Sequence, residues 1–461
     1  MGGLIGPFKA PPFVPWCHTA PLMTTIKKDS PDRRVILDLS FPDSTGVNGG
    51  ITKNCIDGQY RPYTLPTIED LVTKAHVLGR GCFLWKADLA RAYRQLRTDP
   101  MDTPLLTIQH GGQYYVDVCP SFGARLSGAA CQRTTLAVTY LLAKRDCWSL
   151  CYLDDFCGAA ATLDAATEAY NTFMDLTSQL GLSLSAPKCQ PPSQDMEWLG
   201  FRLNTLDMTL TIPKPKLQEI LEECASWKKT HLANKKRVQS LSGKLSHISK
   251  CIRPARKFMY RILETIRQAP ETGLVYITDA YKADVSWFLQ YAALSNGLHL
   301  LEPPLSEFHL DCDSSLVGGG GNSSTHYYIM QYSEDHIRLY KPIHRLEAVN
   351  LLIAYRTLAP LDSQGVRIVI TTDNLGSQLA LETGRTHEPV LATCARQLWL
   401  EASLHDHVIE IRHKKGTEIP LADALSRQHE PDKRLYALSR TKQLGLHKAA
   451  PALPHPMFSL I

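Results

Sequence analysis

Three aspartates stand at the ends of two apolar runs. Asp88 ends the run 82–88, and Asp154 and Asp155 follow the run 148–153. Short apolar runs of this kind predict buried strands. If the strands are neighbours, the carboxylates meet, and a divalent cation offsets their repulsion and desolvation. Hard oxygen ligands favour Mg²⁺, with Mn²⁺ as the alternative ion. Two such ions, about 3.5–4 Å apart, would activate a 3′-hydroxyl and stabilise a leaving pyrophosphate.

Four further acids occur in a second α/β pattern in the last third of the chain. They are Asp313, after the predicted strand 308–313, Glu347, in the predicted helix 344–358, Asp373, after the predicted strand 366–372, and Asp423, in the predicted helix 420–427. Asp311 is an alternative to Asp313 at the first of these positions.

Apolar periodicity and turn residues predict the elements that must position these acids. Pro66 and Thr67 begin one predicted helix, and Gly181 ends another. The remaining predicted elements are strands over 33–39, 194–211, 326–331 and 407–412, and helices over 66–79, 163–180, 374–383 and 390–404.

A strongly basic segment lies between the two patterns. Residues 214–268 predict two or three helices. Within them, residues 227–267 contain twelve Lys or Arg against one acid, Glu264, a net charge of +11. A polyanion partner accounts for this charge, because basic side chains that meet phosphates release condensed counterions. The alternative is a solvated helix face.

Composition excludes several classes of protein. A chain of 461 residues suits two to four domains. It has no apolar run of roughly 18 residues, and residues 1–15 lack the apolar centre of a signal peptide. We therefore expect an intracellular protein, in the cytoplasm or nucleus, without a membrane partner. The 13 cysteines are scattered, which favours buried reduced thiols over a zinc site.

Five motifs in order resemble those of retroelement reverse transcriptases, over roughly residues 5–265. They are residues 83–93, like the first catalytic motif, Phe122-Gly123 with Gln132, like the nucleotide-contacting motif, Tyr152-Leu153-Asp154-Asp155, like the catalytic turn, Gly181-Leu182-Ser183-Leu184 with Lys188, like the next motif, and Trp198-Leu199-Gly200-Phe201, like the hairpin that grips the primer end. The resemblance implies an α+β right-hand polymerase of fingers, palm and thumb, with Asp88, Asp154 and Asp155 as metal ligands.

The resemblance also implies a nucleotide pocket. Tyr93 falls at the aromatic gate that selects deoxynucleotides, with core packing as the alternative. Lys27 and Arg34 fall at the triphosphate-binding positions, although Lys27 is equally compatible with a plain surface lysine. Phe122, Gly123, Gln132 and Lys188 complete the expected nucleotide-binding set. The family usually has Pro-Phe-Gly and then Ala-Pro in this motif. Here Ser121 is inserted before Phe122, and the second proline is missing around Gly128, so the detailed contacts with the nucleotide stay open.

The second acid quartet resembles the site of an α/β ribonuclease H-like domain. The ending Ala422-Asp423-Ala424-Leu425-Ser426-Arg427 is typical of retroelement versions. Two serines and Gly318 follow Asp313 at the family spacing, which favours Asp313 over Asp311. His413 matches the mobile catalytic histidine of some members, with a surface histidine as the alternative. Such sites use two Mg²⁺ ions to hydrolyse the RNA of an RNA–DNA hybrid.

The segments 6–13 and 37–51 resemble DIRS-type retrotransposons, which use a tyrosine recombinase, more than Ty3-type ones. The expected partners are an RNA template, a DNA primer, the RNA–DNA hybrid and deoxynucleoside triphosphates, with other parts of a retroelement polyprotein. A decayed or domesticated copy that only binds nucleic acid is one alternative. A group II intron-like reverse transcriptase is the other, and the second quartet disfavours it.

These inferences predict five segments. They are a Pro-rich arm over 1–20, fingers and palm over 21–212, a basic helical thumb or connection over 213–303, the ribonuclease H domain over 304–428, and a loose basic tail over 429–461.

Overall fold

The computed structural model describes residues 3–14, 17–26, 33–42, 45–52, 55–56, 59–60, 62–252, 255–294, 296–300, 306–363 and 365–453. The chain divides into two compact units, Met1–Leu210 and Thr211–Ile461. The division lies close to the boundary predicted after residue 212. The predicted boundaries within the second unit stay predictions, and the expected linker Pro303-Pro304 lies outside the described residues.

Unit 1 is an α+β unit built from short antiparallel sheets around three helices. Its helices are α1 (Ile68–Leu78), α2 (Ser127–Ala143) and α3 (Leu163–Gln179). Its strands are β1 (Leu4–Phe8), β2 (Leu22–Ile26), β3 (Arg33–Leu37), β4 (Cys55–Ile56), β5 (Gln59–Tyr60), β6 (Phe83–Asp88), β7 (Thr107–His110), β8 (Gln113–Asp117), β9 (Ser149–Tyr152), β10 (Asp155–Ala160), β11 (Gln190–Ser193), β12 (Asp195–Trp198), β13 (Phe201–Asn204) and β14 (Thr209–Thr211), in which the unit ends. β1 pairs with β8, so part of the predicted arm belongs to a sheet.

The central sheet of unit 1 has four strands in the order β11-β6-β10-β9. Its pairings are antiparallel. The aromatic residues Trp85, Phe156 and Phe173 are fully buried between this sheet and α3. A Cβ at Gly158 would lie 2.2 Å from the Trp85 ring, so β10 needs glycine there.

Local sequence signals set three helix ends of unit 1, and two of them, at Thr67 and Gly181, were predicted, whereas α2 was not. Thr67 and Asp70 form a reciprocal capping box at the start of α1. Thr162 caps α3 by accepting a hydrogen bond from the Ala165 N–H. Gly181, at a φ of +69°, follows the last turn of that helix, where a left-handed residue ends a helix without strain.

Unit 2 begins with helices and continues as an α/β arrangement. Its helices are α4 (Lys214–Trp227), α5 (Lys235–Ile248), α6 (Tyr260–Gln268), α7 (Asp279–Leu294), α8 (Glu334–Tyr340), α9 (Ile343–Leu358), α10 (Leu375–Thr383), α11 (Pro389–Leu404), α12 (Pro420–Ser426) and α13 (Pro431–Gln443). Its strands are β15 (Leu232–Ala233), β16 (Val275–Tyr276), β17 (Leu298–His299), β18 (Ser306–Ser314), β19 (Gly318–Asn322), β20 (His326–Gln331), β21 (Val366–Thr372), β22 (Val408–His413) and β23 (His447–Lys448). An α+β unit followed by an α/β arrangement is the predicted fold class, which the structure confirms.

The main sheet of unit 2 has six strands in the order β22-β21-β18-β19-β20-β23. β18, β21 and β22 are parallel to one another, and β19 is antiparallel to both its neighbours. The four-glycine run of β19 is buried. A Cβ on Gly320 would meet the backbone of α12 at 2.7 Å, so these glycines allow α12 to pack against the sheet at backbone distance.

The prediction of a loose tail after residue 428 is wrong for its described part. α13 packs against α12 through Ala437, which is buried with Leu421 and Leu425, and Leu446 packs against the same cluster. β23 then extends the six-stranded sheet by pairing in parallel with β20. The segment is polar overall but contributes apolar side chains to a shared core, and this burial orders it. Residues 454–461 lie outside the described part.

Candidate active sites

The central sheet of unit 1 brings the first three acids to one end. β9 and β10 form a hairpin in which Tyr152 lies opposite Asp155, and Leu153 and Asp154 make its two-residue turn. Leu153 has a φ of +57°, a left-handed conformation that suits a tight hairpin. On the other side of β10, Asp155 lies directly opposite Asp88 of β6. The predicted adjacency of the two strands is therefore correct.

Side chains from α2 and β9 hold this hairpin turn. The Gln132 side chain is fully buried, and its Nε2 donates to the Cys151 carbonyl at 2.8 Å. Its Oε1 accepts from the Leu153 N–H at 2.6 Å. The thiols of Cys131 and Cys151 point at the Leu153 carbonyl, at 3.7 and 3.3 Å. Gln132 is thus a positioning residue in this structure, and its predicted contact with a nucleotide stays a prediction.

The acids of this first site are poorly solvated. Burial, followed by the charge of Asp88, raises the pKa of Asp155 to about 7. The same two causes raise the pKa of Asp154, against the opposing charges of Lys188 and Arg34. Carboxylates that are costly to ionise gain most from a cation that pairs with their charged form. The oxygen donors of this site therefore fit a hard divalent ion such as Mg²⁺.

Lys188 forms an ion pair with Asp88, the first of the three acids along the chain. Its Nζ donates to Asp88 Oδ2 at 2.9 Å. A cavity of about 510 Å³ opens beside this pair and is lined by Lys86, Asp88, Asp155 and the segment 187–190. Lys188, expected in the nucleotide pocket, is thus located at the carboxylates themselves.

Three of the remaining nucleotide-pocket candidates, Tyr93, Phe122 and Arg34, lie within the described residues. The rings of Tyr93 and Phe122 lie 5.0 Å apart, and Tyr93 is half-buried while Phe122 is 40% exposed. Burial, and then the nearby Cys131 and Asp154, raise the pKa of Tyr93 to about 12, so its phenol stays neutral. Arg34 is exposed on β3, and its charge acts on Asp154. Lys27 lies outside the described residues.

Sequence reasoning missed the residue that holds the Phe122-Gly123 motif. A Cβ on Gly123, at a φ of +119°, would lie 2.0 Å from the Leu37 carbonyl oxygen. The Asn48 amide donates to the Gly123 carbonyl at 2.8 Å and accepts from the Arg125 N–H at 2.8 Å. Asn48 belongs to the Val-Asn-Gly-Gly sequence that was read only as a subfamily signal.

The predicted primer-gripping hairpin is present as β12 and β13. Trp198 lies opposite Phe201, and Leu199 and Gly200 make a two-residue turn with φ of +50° and +76°. The Trp198 indole N–H donates to the Asp155 carbonyl at 3.4 Å. The hairpin is therefore tied to the strand that begins with Asp155, and its predicted contact with a primer stays a prediction.

Unit 2 brings three of its four predicted acids into one group. Oxygen atoms of Asp313, Glu347 and Asp373 all lie within 4.8 Å of one another, the only such acid group found among the described residues. Asp311 is not a member of this group, so the geometry favours Asp313. β18, α9 and the end of β21 supply the three side chains.

This acid group has oxygen atoms without a protein partner. Asp313 is 1% exposed and Glu347 is 3% exposed. Among the described residues, Asp313 Oδ1 and Glu347 Oε2 are buried and accept no hydrogen bond. Burial, and then neighbouring acids, raise the pKa of Glu347 well above its ordinary value. Orphaned buried carboxylate oxygens at this separation fit Mg²⁺, which would supply the missing partners.

Asp423 stands next to the group but outside it. Its Oδ1 accepts from Arg427 Nε at 2.8 Å, and its Oδ2 pairs with the Lys433 ammonium. The Ser426 hydroxyl, on the same helix, donates to Asp313 Oδ2 at 2.5 Å. His413 is exposed, and its Nε2 lies 3.0 Å from the Asp373 carbonyl oxygen, while its catalytic role stays a prediction.

A buried amide supports the group from behind, and sequence reasoning missed it. Asn350 lies one helical turn after Glu347 on α9 and is fully buried. Its Nδ2 donates to the Asp313 carbonyl at 2.8 Å and to the Gly320 carbonyl at 3.2 Å. Its Oδ1 accepts from the Tyr328 hydroxyl at 2.7 Å. Its i+3 spacing from Glu347 was the available signal.

The basic segment 227–267 carries less unpaired charge than its sequence indicates. Lys244 pairs with Glu219 and Glu223, and Lys235 pairs with Glu271. Arg261 pairs with Asp284, which is buried and also accepts from Arg396. These four acids lie just outside the counted segment. The acids weaken the argument from charge, and a nucleic-acid role for the segment stays a prediction.

The structure also describes the cysteines and the apolar character of the helices, two features on which the sequence supported expectations. All twelve cysteines whose side chains are described are free thiols, and ten of them are buried. None of the described helices has the length and apolar character needed to cross a bilayer.

Comparison with known proteins finds similarity to one family model and to several solved structures. Residues 26–203 match the family model described as reverse transcriptase (RNA-dependent DNA polymerase). No curated protein matches the sequence. The chain is similar to a foamy viral protease-reverse transcriptase dRH in complex with ds DNA, at 14% identity and a TM-score of 0.49, over 86% of this chain and 65% of that chain. It is also similar to a foamy viral protease-reverse transcriptase in complex with RNA/DNA hybrid, at 15% identity and a TM-score of 0.47, over 90% of this chain and 51% of that chain. The chain thus spans less than two thirds of the length of either structure.

Proposed function

We propose that this chain, whose residues 26–203 match the reverse transcriptase family model, copies RNA and then DNA into DNA and degrades the RNA strand of the hybrid. One observation carries the polymerase half of the proposal. The strand register places Asp155 opposite Asp88, with Asp154 in the adjoining turn, inside the matched domain. Three carboxylates at one sheet end supply the ligands that phosphoryl transfer needs.

At the polymerase site, Asp88 and Asp154 would hold Mg²⁺ with Asp155 assisting, and Mn²⁺ is the alternative ion. When bound, two such ions activate the primer 3′-hydroxyl and neutralise the leaving pyrophosphate. Gln132 keeps the turn in its left-handed shape, so the Asp154 carboxylate is positioned before substrate arrives.

The protein's own cations and rings would act on the nucleotide. Arg34 and Lys27 would neutralise the triphosphate, Arg34 through bidentate contacts. Tyr93, packed against Phe122, would exclude a ribose 2′-hydroxyl and so select deoxynucleotides. Lys188 would supply a positive charge at the acids.

At the second site, Asp313, Glu347, Asp373 and Asp423 would hold Mg²⁺ and cleave RNA paired to DNA. The orphaned oxygens of Asp313 and Glu347 support this assignment. His413, exposed beside Asp373, would exchange protons with solvent during the reaction. The hybrid made by the first site is the substrate of the second.

The source we propose is a retroelement of the DIRS type, on the resemblance of segments 6–13 and 37–51. Its partners would be an RNA template, a DNA primer, deoxynucleoside triphosphates and other parts of a polyprotein. The alternative, a domesticated copy that only binds nucleic acid, is disfavoured because all seven proposed metal-binding acids are present.

Primer extension on poly(rA)/oligo(dT) with Mg²⁺ tests the polymerase assignment. We expect Asp154→Asn to abolish extension and to leave hybrid cleavage intact. Asp313→Asn should show the opposite pattern. Asp175→Asn, at an exposed position of α3, is the matched control and should leave both activities unchanged. Extension that survives in the Asp154 variant would refute the palm assignment, and a wild-type chain inactive with Mg²⁺ and Mn²⁺ would favour the nucleic-acid-binding alternative.

A further inference from the structure

Lys433 lies at an acid of the proposed nuclease site, although it comes from a segment outside the predicted domain. Its ammonium pairs with Asp423 Oδ2 while Arg427 Nε donates to Oδ1 at 2.8 Å. The Lys433 side chain is 41% exposed and that of Asp423 is 12% exposed. A basic side chain therefore reaches from solvent to a buried carboxylate.

The C-terminal helix delivers this lysine to a fixed place. Lys433 lies in the first turn of α13, and Ala437, one turn later, is buried against α12. β23 ties the end of the segment to β20 of the sheet. Because α12 carries Asp423 and α13 packs on α12, the pair joins neighbouring helices of one packed layer. Lys433 can release the carboxylate without undocking α13, since the docking contacts are apolar.

Asp423 is also the one acid of the predicted quartet that does not join the group. Asp313, Glu347 and Asp373 lie within 4.8 Å of one another, whereas both oxygens of Asp423 are held by cations. A divalent ion that needs all four acids would have to draw Asp423 Oδ2 away from an ammonium.

We propose that Lys433 is a positioning residue of this site, which holds Asp423 apart from the other acids and competes with the divalent ion for its carboxylate. The inference rests on the proposed nuclease function. It makes the C-terminal segment a part of the site and sets how much divalent ion the site needs. Arg427 remains on the other oxygen, so one of the two contacts to the carboxylate persists when Lys433 leaves.

The size of the competition follows from the exposure of the pair. A partly exposed ion pair favours its closed form by a factor of roughly 1.5 to 5. A competing ion can use Asp423 only in molecules whose Lys433–Asp423 pair is broken. Its apparent affinity is therefore the intrinsic affinity multiplied by the fraction of such molecules. Replacing Lys433 with an uncharged side chain should therefore raise the apparent affinity about two- to sixfold.

Direct binding of Mn²⁺ to the full chain tests the proposal, with free Mn²⁺ measured by electron paramagnetic resonance. A parent carrying Asp88→Asn and Asp154→Asn silences the first site. In that parent, Lys433→Met should bind Mn²⁺ about two- to sixfold more tightly. Lys433→Arg should restore the parent affinity, and Lys433→Gln is a second uncharged variant should the methionine disturb α13. Lys442→Met, exposed on the same helix, is the matched control for lost charge and should bind as the parent does.

A cleavage measurement complements the binding measurement. With the same variants, the Mg²⁺ concentration for half-maximal hybrid cleavage should fall by the same factor in Lys433→Met. Mn²⁺ affinity that is equal in the parent, Lys433→Met and Lys433→Gln would overturn the proposal. Asp313→Asn separates this failure from failure of the nuclease assignment. If Asp313→Asn leaves Mn²⁺ binding unchanged, the site itself is wrong, and if it abolishes binding, only the role of Lys433 is at stake.

Discussion

Gly320→Ala should damage the proposed nuclease site from a distance. A Cβ on Gly320 would lie 2.5 Å from Leu425 Cβ, 2.7 Å from the Leu425 carbonyl carbon and 2.9 Å from the Ser426 nitrogen. These atoms belong to α12 and cannot swing aside as a flexible side chain can. The added methyl group must therefore push α12 away from β19.

The expected loss has two opposing parts. Overpacking of a core costs about 1–3 kcal/mol, and the smaller conformational freedom of the unfolded chain returns about 0.4–1 kcal/mol. A net loss of about 1–2 kcal/mol lowers the unfolding temperature of a unit this large by about 2–8 °C. The shift also moves Asp423, and Ser426, whose hydroxyl lies 2.5 Å from Asp313 Oδ2. A displacement of about 1 Å can cost about a hundredfold in rate.

Calorimetry and paired activity assays measure both effects. We expect Gly320→Ala to lose about a hundredfold in hybrid cleavage and to keep primer extension. Gly243→Ala is the matched control, because apart from the adjacent backbone of α5 itself no atom lies within 4 Å of its Cβ position. That change should stabilise the chain by about 0.5–1 kcal/mol. If Gly320→Ala has the unfolding temperature and the hybrid-cleavage rate of the wild type, the glycines of β19 do not determine where α12 packs.

Three further changes have predictable outcomes. Gln132→Leu should slow primer extension at least about tenfold and spare hybrid cleavage, because each buried backbone group left without a partner costs about 1–3 kcal/mol. The Mg²⁺ concentration for half-maximal extension should rise up to about tenfold per unit as pH falls below 7, because Asp155, with a pKa raised to about 7, must lose its proton to bind the ion. Ending the chain after Glu430 should lower the unfolding temperature and abolish hybrid cleavage, because it removes α13 and its buried Ala437, as calorimetry and a cleavage assay would record.

A specific result would contradict each of these three predictions. Gln179→Leu, at an exposed position of α3, is the control for Gln132→Leu. Equal extension rates in the two variants would show that Gln132 does not hold the hairpin turn in the shape that extension needs. For Asp155, the raised pKa means that the folded chain binds its proton more tightly than the unfolded chain. Folding stability should therefore fall as pH rises from about 4 to 7, and a flat Mg²⁺ requirement across that range would contradict the assignment. A chain ending at Glu430 with normal stability would mean that α13 contributes nothing to the core.

The positions of the aspartates at strand ends were predictable because local signals locate them. Apolar runs that end in aspartate indicate strands whose ends reach solvent, and a two-residue turn sets the register of β9 and β10. The partner of Asp155 across the sheet follows once β6 is recognised as a neighbour. Thr67 and Gly181 mark helix ends through contacts within a few residues, and the structure has both ends where the sequence predicts them.

The supports of the acids were not predictable, because they depend on contacts distant in sequence. Gln132 meets Leu153 only after α2 packs on β9, so its sequence motif indicated a nucleotide contact instead. Asn350 reaches Gly320 across the sheet. α13 buries a narrow seam, Ala437 and Thr441, in an otherwise polar helix, and a seam of two residues is too weak a pattern to separate a docked helix from a loose tail.

At each site, a partly exposed lysine forms an ion pair with one of the proposed metal-binding acids. Buried carboxylates that face one another oppose folding, because each is desolvated beside a like charge. In the first site Lys188 pairs with Asp88, and in the second Lys433 pairs with Asp423. Each lysine is partly exposed and long enough to leave, so it can offset repulsion while the chain folds and yield to a more highly charged ion afterwards. At the proposed metal sites, folding and ion binding would therefore be coupled through these lysines, because the ion pair that stabilises the folded chain is the contact that an incoming ion would have to displace.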